Sequence, residues 1–264
     1  MKLFLLSLAI ALIVSSIGFK KYVWCISLGY GCSIAAIGLV LLITRGRAVS
    51  AATVLYFLLF MAYGLRLGGY LAFREIRSRS YNSVMKKEIK SGKGMPAAAK
   101  CGIWVSADLL YACEVSPVLF RVSSARGTDG FLIAGLIISA CGLILESTAD
   151  LQKSTAKKKN PHRFVDTGLF RIVRCPNYFG EMIFWTGVFV SGLSCLSGFW
   201  QWFAVLCGYI GIIYVMFGGA RRLEMRQNRN YGKDPEYQSY VKKTPIMIPF
   251  VPLYSVEKYT WLVA

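Results

Sequence analysis

The sequence GLFRIVRCPNYFGE (residues 168–181) runs directly into an apolar stretch, residues 182–193. Pro176 suits the first position of a helix, where the free N–H groups and the positive dipole end favour a nearby anion. Asn177 and Glu181 are four residues apart and share one helical face. Because an ionisable side chain at membrane depth costs about 3 kcal/mol or more, this junction predicts a functional polar site at the edge of a bilayer.

The composition extends this interpretation to the whole chain. Of its 264 residues 55% are hydrophobic and only 17% are charged, which exceeds the apolar content of an ordinary globular domain. We therefore expect an all-α, polytopic integral membrane protein with about seven transmembrane helices. The predicted spans are residues 3–16, 23–43, 51–73, 101–119, 131–145, 176–193 and 199–220. Several are shorter than a full bilayer crossing, which is typical of a bundle open around a ligand or of tight packing through small residues.

The first span allows two interpretations. Lys2, an apolar run and the small residues Ser15 and Gly18 fit a cleaved signal peptide. Lys20 and Lys21 are followed almost at once by the next apolar span, which favours a retained helix that forms a hairpin with it.

The cysteines and glycines indicate neither a disulfide framework nor a metal site. No CxxC pair occurs, and no GxGxxG motif follows a strand. Cysteine within membrane spans is usually a small apolar filler. The eight cysteines are Cys25, Cys32, Cys101, Cys113, Cys141, Cys175, Cys195 and Cys207.

The net charge of +18 is unevenly distributed and predicts the orientation. Basic residues concentrate in residues 74–100, 153–174 and 221–243. The connections near Arg45 and Arg121 carry two cations each. The positive-inside bias therefore predicts that the three basic segments and the C-terminal tail are cytosolic and that the N-terminus lies on the opposite side. Topology and attraction to anionic lipids account for the charge, so no nucleic-acid partner is expected.

Acidic residues in the last third carry more information. Glu146 and Asp150 lie one helical turn apart at the end of the fifth span, where they form either a polar face for a ligand or an ordinary solvated helix end. Glu181 precedes a strongly apolar run. It must point inward or pair with a cation such as Arg171 or Arg174.

These segments carry a family resemblance. GLFRIVRCPNYFGE, the preceding ESTADLQK and the terminal YVKKTPIMIPF resemble the C-terminal domain of the steroid 5-alpha-reductase family. Its DUF1295 branch is most similar, although that branch typically has His where this chain has Cys175. The upstream RLGGYLAFR, residues 66–74, matches the RLGGYLxxR block of the branch. The resemblance is strongest over residues 146–193. It implies an N-terminal transmembrane hairpin, residues 1–50, and a catalytic membrane domain, residues 51–264.

The resemblance implies a cofactor and its site. Members of the superfamily are seven-helix enzymes that bind NADPH at the cytosolic ends of the later helices and reduce the carbon–carbon double bond of an enone. Asn177 and Glu181 match residues that contact the nicotinamide end, and Tyr178 in the same motif is assigned to the cofactor site. Glu146 stands where the steroid enzymes have a cofactor-binding Asn, and Asp150 matches an Asp one turn later.

The resemblance also assigns cations to the phosphates. NADPH carries about four negative charges at neutral pH, and forked Arg donors suit phosphate oxygens. The expected phosphate-binding residues are Lys157, Arg163, Arg171 and Arg174.

Tyr63 and Arg66 match a catalytic Tyr-x-x-Arg of the steroid enzymes, whose Tyr donates a hydrogen bond to the substrate carbonyl. Those enzymes pair this Tyr with a Glu from the second helix, whereas this chain has no acid before Glu75. Three alternatives remain: an acid of the fourth span serves, either Asp108 or Glu114; Tyr63 acts with a water; or the substrate, a lipid or steroid-like molecule, is not a 3-oxosteroid.

Two other functions compete. The tail LEMRQNRNYGKDPEYQSY, residues 223–240, also resembles the isoprenylcysteine carboxyl methyltransferases, which bind S-adenosylmethionine. Glu181 and the ESTADLQK block favour a reductase. A non-enzymatic membrane protein of the same fold is the third interpretation. The resemblance implies the endoplasmic reticulum, although the terminal YTWLVA carries no retrieval signal.

Overall fold

The chain is described by a computed structural model that covers residues 1–19, 24, 27–77 and 96–262, with side chains described except at residues 73–77. This part of the chain contains α-helices and short 3-10 turns and no strand, which confirms the predicted all-α class. The helices are α1 (Lys2–Ser15), α2 (Leu28–Arg45), α3 (Ala51–Arg77), α4 (Ala97–Ser123), α5 (Gly130–Lys159), α6 (Pro176–Gly192), α7 (Phe199–Tyr231) and α8 (Pro235–Lys243). The 3-10 turns are Ser16–Phe19, Gly46–Ala48, Gly168–Arg171 and Leu193–Cys195.

Some features predicted from the sequence lie outside the described residues. They are Lys20, Lys21, Cys25, the start of the second span at residue 23 and most of the first basic segment, residues 78–95. The division into a hairpin and a catalytic domain at residue 50 stays a prediction.

Six helices within the described ranges are long and apolar enough to cross a membrane, and they correspond to six of the seven predicted spans. They are Lys2–Phe19, Leu28–Ala48, Ala51–Ala72, Ala97–Ser123, Gly130–Lys159 and Phe199–Tyr231. The seventh, α6, has 17 residues, which is short for a bilayer crossing. Both α5 and α7 extend well past their predicted apolar limits, because good helix formers such as Ala, Lys, Arg and Glu follow each apolar run.

The described helices form two compact units. The first contains Met1–Leu136 and Val188–Gly208, and the second contains Ile137–Gly187 and Tyr209–Ala264. All nine residues assigned to the cofactor belong to the second unit. Tyr63 and Arg66 belong to the first.

In the first unit, small residues bring α2 and α3 into backbone contact. A Cβ placed on Gly64 would lie 2.2 Å from the carbonyl oxygen of Gly31 and 2.6 Å from the backbone nitrogen of Ala35. Helices approach this closely only through small residues, because larger side chains would hold their backbones apart. In lipid such close packing replaces the hydrophobic effect as a driving force for helix association. Fully buried aromatic side chains, including Tyr56 and Phe60, complete the core on α3.

Arg121 joins three segments at one end of the first unit. Its side chain is fully buried at the last turn of α4. Its guanidinium donates to the carbonyl oxygens of Ser191 (2.9 Å) and Gly127 (2.8 Å). It also donates to both carboxylate oxygens of Asp129, at 2.9 and 3.0 Å, and to the Ser194 hydroxyl at 2.7 Å. A buried charge is tolerated here because it is paired and its donors have acceptors.

Candidate functional site

The site begins at a close crossing of α5 and α6 in the second unit. A Cβ on Gly142 of α5 would lie 2.3 Å from the backbone nitrogen of Phe184, and one on Gly180 of α6 would lie 2.6 Å from that of Glu146. The Ser139 hydroxyl donates to the Phe184 carbonyl oxygen at 2.9 Å. The glycines therefore place Glu146 directly against the helix turn that carries Glu181.

This crossing brings together the acids and amides that the sequence predicts at the nicotinamide end. Glu146 is 3% exposed, Glu181 is 6% exposed, and Asp150 lies half-buried one turn beyond Glu146. Asn177 lies in the first turn of α6, and its Oδ1 is buried with no hydrogen-bond partner among the described residues. A buried acceptor without a partner costs about 1–3 kcal/mol, so this oxygen is suited to a donor from a ligand.

Tyr178 lies on another side of α6, against α7. A Cβ on Gly219 would meet the Tyr178 ring at 3.4–3.5 Å, an ordinary van der Waals contact. Arg222 and Arg226 lie on α7 about one and two turns after Gly219. In the sequence these two arginines indicate only the topology. Their spacing of four residues, which places them on one helical face, is the signal that could identify them as candidate site residues.

The loop between α5 and α6 is held in place by hydrogen bonds from its backbone to side chains of α5 and α8. Gly168 has a φ of +62°, which suits glycine, and the Gln152 side chain of α5 accepts from the Leu169 amide at 2.9 Å. The Tyr240 hydroxyl of α8 donates to the Phe170 carbonyl oxygen at 2.7 Å. These bonds fix the 3-10 turn that precedes Arg174.

The C-terminal tail, residues 244–262, completes the loop. The amides of Arg174 and Cys175 donate to the carbonyl oxygens of Pro245 and Ile246, both at 2.9 Å. Burial raises the pKa of the Cys175 thiol to about 11, so this side chain is a neutral, apolar part of the core. The chain thus packs Cys175 where the related motif has His.

Arg174 is engaged within the protein. Its Nη2 donates to Glu224 Oε1 at 2.7 Å, and each side chain is 1% exposed. The same nitrogen contacts the Tyr254 carbonyl oxygen, and Glu224 Oε2 accepts from the Val256 amide at 2.8 Å. The Tyr237 hydroxyl lies beside the guanidinium. Sequence reasoning offered Arg174 as a partner for Glu181 and missed Glu224, whose position within a charged run gave no sign that it would be buried.

The other predicted phosphate ligands differ in availability. Lys157 Nζ donates to the carbonyl oxygens of Pro161 (3.2 Å) and Arg163 (2.5 Å) and to the Tyr231 hydroxyl (2.9 Å). Arg171 is exposed at the end of its 3-10 turn and forms no ion pair with any residue that the structure describes.

Arg163 is exposed and doubly paired. It contacts Glu236 at 2.5 Å and Asp166 at 3.0 Å, and the Glu236 hydrogen bond is the main cause that raises its pKa. These exposed pairs are weak and leave the guanidinium free to exchange partners. Arg163 and Arg171 are therefore the predicted cations best able to meet a phosphate.

Tyr63 lies in the first unit and is fully buried on α3. Its hydroxyl donates to the hydroxyl of Tyr30 on α2 at 3.1 Å, and Tyr30 packs against Tyr111 with ring centroids 4.8 Å apart. Arg66, one turn along α3, is half-buried. The second helix therefore supplies a phenol as a hydrogen-bond partner of Tyr63.

The two intramembrane acids of α4 are both buried. Asp108 Oδ2 accepts from the Ser15 hydroxyl at 2.7 Å, and Ser15 accepts from the Trp104 indole at 2.8 Å. Glu114 is 3% exposed. The described residues contain no group of three or more His, Cys, Asp or Glu side chains that could hold a metal ion.

Comparison with known proteins gives the family. A family model described as "Protein of unknown function (DUF1295)" matches residues 12–244. A steroid 5-alpha-reductase DET2 from Gossypium hirsutum is 26% identical over 122 residues, which cover 45% of this chain and 42% of that protein. The uncharacterized protein C9.08c from Schizosaccharomyces pombe is 38% identical over 66 residues, 20% of this chain and 23% of that protein.

The chain thus spans less than half the length of each of these two relatives. No solved structure shows significant similarity to it. The family match, by contrast, extends from α1 to the end of α8 and includes both the RLGGYLAFR block and the CPNYFGE junction. On this evidence the chain belongs to the DUF1295 family.

Proposed function

We propose that this protein is an NADPH-dependent membrane reductase, which reduces a carbon–carbon double bond conjugated to a carbonyl in a lipid or steroid-like substrate. The observation that carries the proposal is the α5–α6 crossing. It gathers Glu146, Glu181 and the unpartnered Oδ1 of Asn177 in a buried, polar position. The relative named as a steroid 5-alpha-reductase supports the reductase class.

These side chains fit the nicotinamide end of NADPH. A carboxamide NH₂ group offers two donors, and Asn177 Oδ1 and the carboxylates of Glu146 and Glu181 are acceptors. The Asn177 oxygen in particular discriminates between ligands, because a ligand without a donor leaves it unpaired. Asp150, one turn further along α5, would extend the same polar face for the cofactor.

The phosphates would meet cations from two elements of the second unit. Arg171 and Arg163 of the loop are exposed, and Arg222 and Arg226 lie on α7 about one and two turns after the contact of Gly219 with Tyr178. Arg174 supports the loop through its buried pair with Glu224. In this proposal Arg174 and Lys157 shape the phosphate site, and the exposed arginines make the bidentate contacts.

Bound NADPH would supply a hydride to the far carbon of the enone. Tyr63 would donate a hydrogen bond to the substrate carbonyl, where negative charge develops. Because a phenol has one O–H donor, the bond between the two tyrosines would reverse. The Tyr30 hydroxyl, which accepts from Tyr63 in the structure, would then donate to the Tyr63 oxygen, and Arg66 one turn away would add positive charge. A Tyr–Tyr pair in place of a Tyr–Glu pair favours an enone lipid other than a 3-oxosteroid. The family resemblance makes the endoplasmic reticulum the proposed compartment.

The test is cofactor binding by the purified full chain in detergent, titrated separately with NADPH and with S-adenosylmethionine. NADPH should bind. Asn177→Ala and Glu181→Gln should each weaken its binding more than tenfold, since a charge-assisted or buried contact contributes about 1.5–3 kcal/mol.

Asn160→Ala is the matched control, because Asn160 is exposed at the start of the loop between α5 and α6. It should leave the NADPH titration unchanged. The proposal fails if both site variants bind NADPH as the unmodified chain does, or if S-adenosylmethionine binds and NADPH does not.

A further inference from the structure

Helix α7 changes from apolar to charged sequence within the second unit. Residues 210–220 carry no charged side chain, and Arg221 and Arg222 follow at once. Ile210 in the apolar part has 61% of its surface exposed, which suits a side chain that faces lipid. Arg221 therefore marks the level at which α7 leaves the hydrocarbon, since a charge within it is costly.

The C-terminal tail contacts α7 on the apolar side of Arg221. The Tyr214 hydroxyl donates to the Trp261 carbonyl oxygen at 2.8 Å, and the two rings stack with centroids 6.2 Å apart. Tyr214 precedes Arg221 by about two turns, or about 10 Å along the helix axis. Helical side chains also point toward the N-terminus, which for Tyr214 is the deeper direction. Trp261 thus lies at the depth of the apolar part of α7.

The preceding residues of the tail remain at the charged level. The Arg221 Nε donates to the Glu257 carbonyl oxygen at 3.0 Å, and the Asn228 amide donates to the Glu257 carboxylate at 2.6 Å. Lys258 Nζ lies 5.1 Å from the centre of the Tyr259 ring. Between Glu257 and Trp261 the tail therefore descends along α7 from polar to apolar surroundings.

We propose that residues 259–262 anchor the tail in the bilayer, at the boundary between headgroups and acyl chains on the side where α7 becomes charged. Trp261 keeps 64% of its surface exposed, and Trp and Tyr are the residues that this boundary favours. The Tyr214 bond satisfies the Trp261 carbonyl, as a bilayer requires of backbone polar groups. Lys258 lies where it can attract anionic headgroups.

The occupant of this aromatic surface is phospholipid, and the inference does not depend on the proposed enzymatic activity.

The full chain is reconstituted in vesicles of phosphatidylcholine and phosphatidylserine, with a fluorescent amino acid encoded at position 261. Two quenchers are compared: a phospholipid with a nitroxide on its upper acyl chain, and aqueous iodide. The same fluorophore at position 210 is the lipid reference, and at position 236, where Glu236 is 67% exposed, it is the aqueous reference.

The fluorophore at position 261 should be quenched by the lipid nitroxide, as at position 210, and should lose most of the iodide quenching seen at position 236. Tyr214→Phe should restore iodide quenching at 261 and leave position 210 unchanged, which shows that α7 is still inserted. Iodide quenching at 261 equal to that at 236 overturns the proposal. Protection from both quenchers also overturns it, because protein would then cover the surface.

Discussion

The buried ion pair between Arg174 and Glu224 joins the loop before α6 to the C-terminal part of α7, with 2.7 Å between Nη2 and Oε1 and 1% of each side chain exposed. Glu224 also accepts from the Val256 amide, and Arg174 contacts the Tyr254 carbonyl oxygen. One pair therefore connects the loop, α7 and the tail.

Removing one partner of this pair should lower the stability of the fold far more than removing both. Arg174→Met or Glu224→Met alone leaves an uncompensated buried charge and should lower stability by about 3–5 kcal/mol. The double variant should recover a large part of that loss. Thermal unfolding in detergent measures it. Arg171→Met is the control and should not change stability, because Arg171 is exposed and forms no ion pair within the described residues. Additive effects in the double variant would contradict the prediction.

Low pH should weaken the hydrogen bonds and the ion pair between Arg121 and Asp129. Burial acts to raise the pKa of Asp129, but hydrogen bonds from Ser194, the Leu132 amide and Arg121, with the Arg121 charge, hold that pKa well below its usual range. The stabilisation is therefore complete above the unfolded pKa of about 3.9 and is lost as the pH falls toward the folded value.

Asp129→Asn tests this dependence. The variant should unfold at a lower temperature than the unmodified chain at pH 7, and the difference should shrink as the pH falls below about 4. Unfolding temperatures measured across pH 3–7 give the result. Two curves that stay parallel over this range would show that ionised Asp129 does not stabilise the fold.

Tyr63→Phe keeps the buried ring and deletes only the hydroxyl. Turnover of an enone lipid should fall by about 100-fold, the scale for removing one oxyanion donor, while NADPH affinity stays nearly unchanged. Tyr30→Phe removes the hydroxyl that would donate to the Tyr63 oxygen once Tyr63 turns to the substrate, and turnover should fall about tenfold, the scale of one hydrogen bond. Full turnover in Tyr63→Phe would direct the search for the donor to Asp108 and Glu114.

The charge distribution predicts the topology. In sealed microsomes, protease added outside should digest a tag placed in the linker at residues 153–174 and another after residue 264. A tag before Met1 should be protected, because the N-terminus is expected on the opposite side. Protection of either of the first two tags would refute the orientation.

Local sequence was sufficient for some features and insufficient for others. The family resemblance is confirmed by the DUF1295 match. The shared helical face of Asn177 and Glu181 follows from a spacing of four residues, and Glu146 was assigned from its motif. Glu224 could not be found in this way, because its partner is 50 residues away and any of several arginines could have paired with it. The Tyr30 partner of Tyr63 could not be found either, because a tyrosine 33 residues earlier in an apolar span indicates only an aromatic packing residue.

The bonds between the loop and the tail have a consequence for biosynthesis. The Tyr240 hydroxyl and the Tyr254 carbonyl meet Phe170 and Arg174 across separations of 70 and 80 residues. At 5–20 residues per second, the ribosome makes the loop roughly 4–16 s before these partners exist. The helices can therefore enter the bilayer during translation before Arg174 has formed its contact with the tail. A chain that stops before residue 244 would lack the carbonyl oxygens of Pro245, Ile246 and Tyr254 that this loop contacts, so we expect such a chain to insert without fixing the loop before α6.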